Sequence, residues 1–187
     1  RRNGVLFRPL LLLLIVSVFS INFNVLMPVF AKSHLGQDAR GFGFLMSAMG
    51  LGALIGAGIL VLSSKYGPRP ILVYGGACAL CVFQILMPLT HTAPLASAMI
   101  LFAGMGMIVF ISTINTTLQM NSDDEYRGRV MSLYMLVFGG STPIGSPVIG
   151  FLAQRLGVEF ALYFSGAVGL FATAAFAVVR TYTRRRR

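Results

Sequence analysis

Six apolar stretches fill the chain, at about 9–30, 42–62, 71–89, 94–117, 130–152 and 158–179, and short breaks rich in Gly, Pro and charge separate them. Each is close to the ~20 residues that a helix needs to cross about 30 Å of hydrocarbon. Charge gathers in the breaks and at the ends of the runs, with Arg155 and Arg180 hard against an end. On this pattern no carboxylate is expected within the membrane. Hydrophobic residues make up 56% of the chain and charged ones 11%, too few to cover that apolar surface in water. The expected fold is an all-α membrane protein: a single six-helix transmembrane lobe over residues 1–187.

The net charge of +10 would suit nucleic acid, but its placement points to a membrane. With six spans the breaks alternate between two sides. One side holds Arg1, Arg2, Arg8, Lys65, Arg69, Arg127, Arg129, Arg180 and Arg184 to Arg187, twelve of the fifteen basic residues; the other holds Lys32, Arg40 and Arg155. Positive loops stay inside, so both termini are expected in the cytoplasm, and the closing arginines read as a clamp on anionic lipid. The expected surroundings are a lipid bilayer, with no nucleic acid bound. The basic start followed by an apolar run resembles a secretory signal, but the run is too long, holds Asn22 and Asn24, and precedes five more spans. It is expected to be the first membrane helix. A first residue of Arg rather than Met suggests the tail of something longer.

An internal repeat organises the spans. The second opens with Gly43-x-x-Met46-Ser47 and closes on Leu62-x-x-Lys65-x-Gly67; the fifth opens with Gly128-x-x-Met131-Ser132 and closes on Leu152-x-x-Arg155-x-Gly157. Because those helices start on opposite sides, the two triplets form inverted repeats, the plan of secondary transporters. Each closing Gly reads as the left-handed residue that ends a helix. Gly50, Gly52, Gly56, Gly58, Gly104, Gly106, Gly139, Gly140, Gly145 and Gly150 are expected to let helices approach closely. Pro28, Pro143 and Pro147 should kink or open their helices beside a cavity.

Little in the sequence suggests enzyme chemistry. Cys78 and Cys81 stand mid-span and read as small packing residues, while His34 and His91 read as solvated loop residues. No nucleophile with a base and no metal cluster is visible, so neither an enzyme nor a cofactor is expected.

Asn121-Ser-Asp-Asp-Glu-Tyr-Arg-Gly-Arg-Val-Met-Ser-Leu-Tyr134, then Gly139-Gly-Ser-Thr-Pro-Ile-Gly145 and Gly150-Phe-Leu-Ala-Gln-Arg-Leu-Gly157, closely resemble a segment of major facilitator superfamily transporters: the loop between helices ten and eleven, and helix eleven itself. The nearest likeness is to the drug and siderophore exporter branch that includes the enterobactin exporter, whose seventh helix is similar to Asn22-Phe-Asn-Val-Leu-Met-Pro28. The resemblance spans the whole chain and implies the C-terminal six-helix half of a twelve-helix protein. The family's cytoplasmic loop motif falls on Leu60 to Pro70, where Lys65, Gly67 and Arg69 match it; Leu60, Ser64 and Pro70 depart from it. Loss of the acidic residue at Ser64 puts an interdomain charge latch in doubt.

The resemblance implies that helices one, four and five face a central pathway. Its candidate lining is Asn22, Asn24, Thr113, Asn115, Thr116, Ser141 and Thr142. Hydrogen bonding between helices explains such residues equally well for Asn22 and Ser141, and better for Gln84. A cytoplasmic gate is implied around Asp123, Asp124, Glu125, Arg127, Gly128 and Arg129, beside Lys65, Gly67 and Arg69; a solvated charged turn is the alternative. The expected function is secondary active export of small lipophilic or siderophore-like molecules from a bacterial inner membrane, with a missing N-terminal half or a second lobe as partner. If a proton gradient drives it, the coupling residue is expected in that missing half. A non-transporting scaffold with a transporter-derived fold is the other reading.

Overall fold

The computed structural model describes residues 3–185, with side chains from 6 to 182 apart from Tyr66. Arg1, Arg2, Arg186 and Arg187 of the basic ends lie outside the described residues. All six expected spans are helices, and no strand occurs among the described residues. α1 starts as Asn3–Phe19 and continues through a 3-10 turn Ile21–Val25, a short α segment Met27–Val29 and a π turn Phe30–His34. α2 is Ala39–Ser63, α3 is Pro70–Leu86 with a 3-10 end Met87–Leu89, and α4 is Ala93–Asn121. α5 is Asp124–Leu156 and α6 is Val158–Arg185.

The helices begin where the local chemistry allows. Asp38 caps α2 by accepting from the Gly41 amide at 2.9 Å. Arg69 is extended before Pro70, whose missing N–H costs nothing in the first turn of α3. Asp124 and Glu125 stand in the first turn of α5, where the helix dipole favours anions. Prolines act unequally. α5 runs unbroken across Pro143 and Pro147. α1 does not survive its own: Pro28 offers no N–H to the Asn24 carbonyl, and Asn22 spends its side-chain amide on the Ser17 and Val18 carbonyls, both at 3.0 Å. The ladder therefore tightens to Leu26 N–H onto Phe23 O at 2.8 Å, then loosens to Leu35 N–H onto Phe30 O at 3.2 Å.

Packing follows the repeat. α2 lies on α4 as α5 lies on α1, and α3 lies on α4 as α6 lies on α1, so each of these contacts joins one triplet to the other; α3 on α6 and α1 on α4 complete the seam. α1 and α4 form the inside: 56% and 44% of their apolar windows are buried, against 17% for α2 and for α5. The repeat reaches single bonds. Ser47 Oγ donates to Gly43 O at 2.9 Å, and Ser132 Oγ donates to Gly128 O at 3.0 Å. Gly67 and Gly157, which close the two repeats, have φ of 68° and 92° with ψ of −179° and 155°. Both are therefore glycine-favouring, but the extended ψ differs from the left-handed cap that the sequence suggested.

Only some glycines lie at close crossings. A Cβ on Gly52 would stand 1.9 Å from Leu101 O, one on Gly56 2.7 Å from Met105 O, and one on Gly104 2.5 Å from Met49 O. Gly106 meets Gly76 across α3 and α4, and Gly145 sits against Val18 O of α1. Gly50, Gly58, Gly139 and Gly150 have nothing within 4 Å, and Gly140 meets only Leu136 of its own helix at 3.9 Å, so the packing role expected of these five is corrected.

Candidate functional site

The break in α1 falls near the middle of the apolar span Leu6–His34 and organises the polar residues around it. Asn22, 5% exposed, also donates to Ser141 O of α5 at 3.2 Å, while Ser146 Oγ lies 3.4 Å from Asn22 Oδ1. Ser141, itself buried, donates from Oγ to Phe138 O at 2.7 Å. Buried Thr113 donates to Val109 O at 2.6 Å within α4. These three therefore serve the helix contacts and their own backbones, and Asn22 ties α1 to α5.

Asn24, Thr116 and Thr142 remain exposed on the surface of the helix bundle, and Asn115 is half-buried. Asn115 stands eight residues beyond the middle of Ala93–Asn121, about 12 Å toward the end of the lobe that carries Lys65 and Arg127. Its Oδ1 accepts from Gln119 Nε2, and Tyr134 of α5 stands beside it. Tyr134 in turn stacks on Phe138, with ring centroids 6.1 Å apart. Polar side chains of α4 and α5 thus form a tier on the basic-end side of the break; Gln119 and Tyr134 in it were not marked by the sequence.

At the basic end the residues of the implied gate are solvated. Arg127 Nη2 lies 2.6 Å from Asp124 Oδ1 one turn back, with the side chains 50% and 90% exposed. Arg129 sits over the Tyr126 ring at 5.6 Å. Contacts of this kind contribute about 1 kcal/mol or less, so they leave both guanidinium groups available. Asp123 occupies the cap position of α5 without a side-chain cap bond, Glu125 and Gly128 are exposed, and the Gly128 carbonyl takes the Ser132 bond. Lys65 is exposed in the 3-10 turn Ser64–Tyr66, Gly67 makes the turn that follows, and Arg69 is exposed at the start of α3.

Three expectations from sequence are corrected. His34 is not a solvated loop residue: its side chain is 7% exposed, with Nδ1 2.7 Å from Glu159 Oε1 and Nε2 2.9 Å from Thr90 O. Glu159, in the first turn of α6, is a carboxylate within a predicted span, at its very end. Gln84 is fully buried, yet neither of its amide atoms has a hydrogen-bond partner, so the interhelical bond expected of it is not made. Cys81 packs as expected, its Sγ 3.5 Å from Ser20 Oγ of α1 and close against Gly169 of α6, while Cys78 is exposed.

Among the described residues no three His, Cys, Asp or Glu side chains gather in a way that would hold a metal ion. No curated protein and no solved structure matches the chain. Residues 4–185, however, match the family model MFS_3, described as transmembrane secretion effector. Six apolar membrane-length helices, a packing pattern that repeats between the two halves of the chain and a match across nearly its whole length say the same: the chain belongs to this secretion-effector family of the major facilitator superfamily of transporters.

Proposed function

We propose that the chain is one lobe of a secondary active exporter, which moves small lipophilic or siderophore-like molecules by rocking against a second lobe so that a midplane site opens to each side in turn. The observation that carries this reading is the loss of regular helix in α1 at Ile21–Val25. Irregular backbone at membrane depth is tolerated where protein or a water-filled cavity covers it, so the surface around Asn24 faces a pathway and not lipid tails. Asn24, Asn115, Thr116 and Thr142 would meet cargo. Asn22, Thr113 and Ser141 would hold the pathway wall in place. The sparsely buried α2 and α5 would pack on the second lobe, either an N-terminal six-helix half or another copy.

The same reading puts the protein in a bacterial inner membrane with both ends in the cytoplasm, supported by the twelve-to-three division of basic residues. Arg127 and Arg129 would then close the cytoplasmic ends of the lobes together. A proton gradient is the proposed energy source. Cysteines at Thr142 and Thr116 test the pathway. They should react with a membrane-impermeant maleimide in vesicles, whereas a cysteine at Ile144, apolar and 60% exposed, should not. Equal silence at all three positions would place this surface in lipid and overturn the reading.

A further inference from the structure

The contacts of His34 fix a proton count. Nε2 faces the Thr90 carbonyl, which only accepts, so Nε2 carries hydrogen. Nδ1 faces a Glu159 oxygen at 2.7 Å. An ionised carboxylate also only accepts, so either Nδ1 carries a second hydrogen, or Glu159 carries it and donates to a neutral ring. Both forms hold the same number of protons, one more than a neutral histidine beside an ionised carboxylate. Take that proton away and two lone pairs oppose each other at hydrogen-bond distance.

The geometry points to a proton-binding site at His34 and Glu159, which fastens the π turn of α1 to α6 and to the α3–α4 connection when a proton is bound and releases them when it leaves. The surroundings support this. The His34 ring is stacked between Phe30 and His91, with centroids 4.8 Å and 5.6 Å away, and is shielded from water. Glu159 is 55% exposed and lines a cleft of about 500 Å³ with Ser33 and Tyr163, so the proton has a route to solvent. The other titratable groups on the packed elements are His91 of the α3–α4 connection, Tyr163 of α6, Lys32 of the π turn and Asp38 at the start of α2, which is occupied by the Gly41 amide.

The consequence for the fold is mechanical. The tie lies just beyond the irregular turn Ile21–Val25, so its release frees this end of α1 to pivot there. The sign follows from the count. A released imidazole is neutral above about pH 6.5 and a released carboxylate is ionised above about pH 4.3, so closing takes up a proton above pH 6.5. Closure is favoured fully between those values and weakens by up to tenfold per pH unit as pH rises beyond the upper one.

The test is thermal unfolding of the full chain in detergent from pH 5.5 to 8.5, comparing the wild type with Glu159→Gln. Gln offers an amide N–H that donates to the bare Nδ1 of a neutral ring, so the contact forms without the extra proton, and position 159 is exposed enough to accept it. The advantage of the wild type over Glu159→Gln should shrink as pH rises past 6.5; parallel profiles across the range would overturn the proposal. A second measurement does not depend on folding energetics. The chain has two histidines, so His91→Gln leaves His34 as the sole ring signal in ¹⁵N spectra. Its titration should move when Glu159→Gln is added, and a titration unmoved by that change overturns the site.

Discussion

Gly52→Ala should weaken the lobe far more than the same change two residues earlier. The new methyl carbon would stand 1.9 Å from the Leu101 carbonyl oxygen and 2.7 Å from its carbon. Ordinary contact begins near 3.4 Å, so α2 and α4 must separate by about 1.5 Å, and because the obstacle is backbone no rotamer change relieves it. Overpacking of this kind costs about 1–3 kcal/mol, and a backbone obstacle belongs in the upper part of that range. Gly50→Ala and Gly58→Ala meet nothing within 4 Å, and all three variants share the roughly 1 kcal/mol by which Ala outranks Gly in a helix. The difference between Gly52→Ala and either control is therefore about 2–3 kcal/mol, or roughly 4–12 °C in a chain of this size. The chain has no tryptophan, but Cys81 is fully buried. With exposed Cys78 changed to Ser, a thiol-reactive dye reports unfolding through Cys81 alone. If Gly52→Ala and Gly50→Ala unfold within 2 °C of each other, α2 and α4 do not cross as described.

Asn22→Ala removes the tie to Ser141 O and should cost about 0.6–1.7 kcal/mol in the same dye assay, whereas Asn24→Ala at the exposed neighbour should stay within about 0.5 kcal/mol of wild type. Single cysteines at Gln37 and at Glu125 should label from opposite faces of the membrane, and labelling of both from one face would refute the six-span topology. Arg127→Ala and Arg129→Ala should leave the unfolding midpoint nearly unchanged, since the pair with Asp124 is solvated, while raising cysteine accessibility at the basic end and lowering transport; normal transport in both would reduce this loop to a turn.

The apolar runs made the six helices legible because each must bury about 20 residues in hydrocarbon, and the small motifs around Gly43 and Gly128 revealed the repeat before any packing was known. Helix ends were less legible, since caps such as Asp38 depend on backbone geometry that hydropathy does not report. Two glycine stripes ran along α2, and only the packing told Gly52 and Gly56, which touch α4, from Gly50 and Gly58, which do not. For the candidate site, Pro28 announced a disturbed α1 and Asn22 a polar side chain facing a pathway or a neighbouring helix, but not which carbonyls would accept from Asn22. The His34–Glu159 pair was invisible: its members are 125 positions apart, each looks like an ordinary end-of-span residue, and only the convergence of three connections at one end of the lobe brings them together. Gln119 and Tyr134 escaped for a related reason, because the tier they form with Asn115 depends on how α4 faces α5.

The central claim is that this lobe transports only in company. The chain purified alone, or together with a second six-helix lobe of the same family, can be placed in liposomes loaded with a fluorescent lipophilic cation or a ferric siderophore, and efflux followed under an imposed proton gradient. The account predicts no flux from the monomeric chain and gradient-dependent flux once two lobes are paired, whether the second is a different half or another copy. Flux from the monomeric chain alone, or none from any pairing, would contradict it.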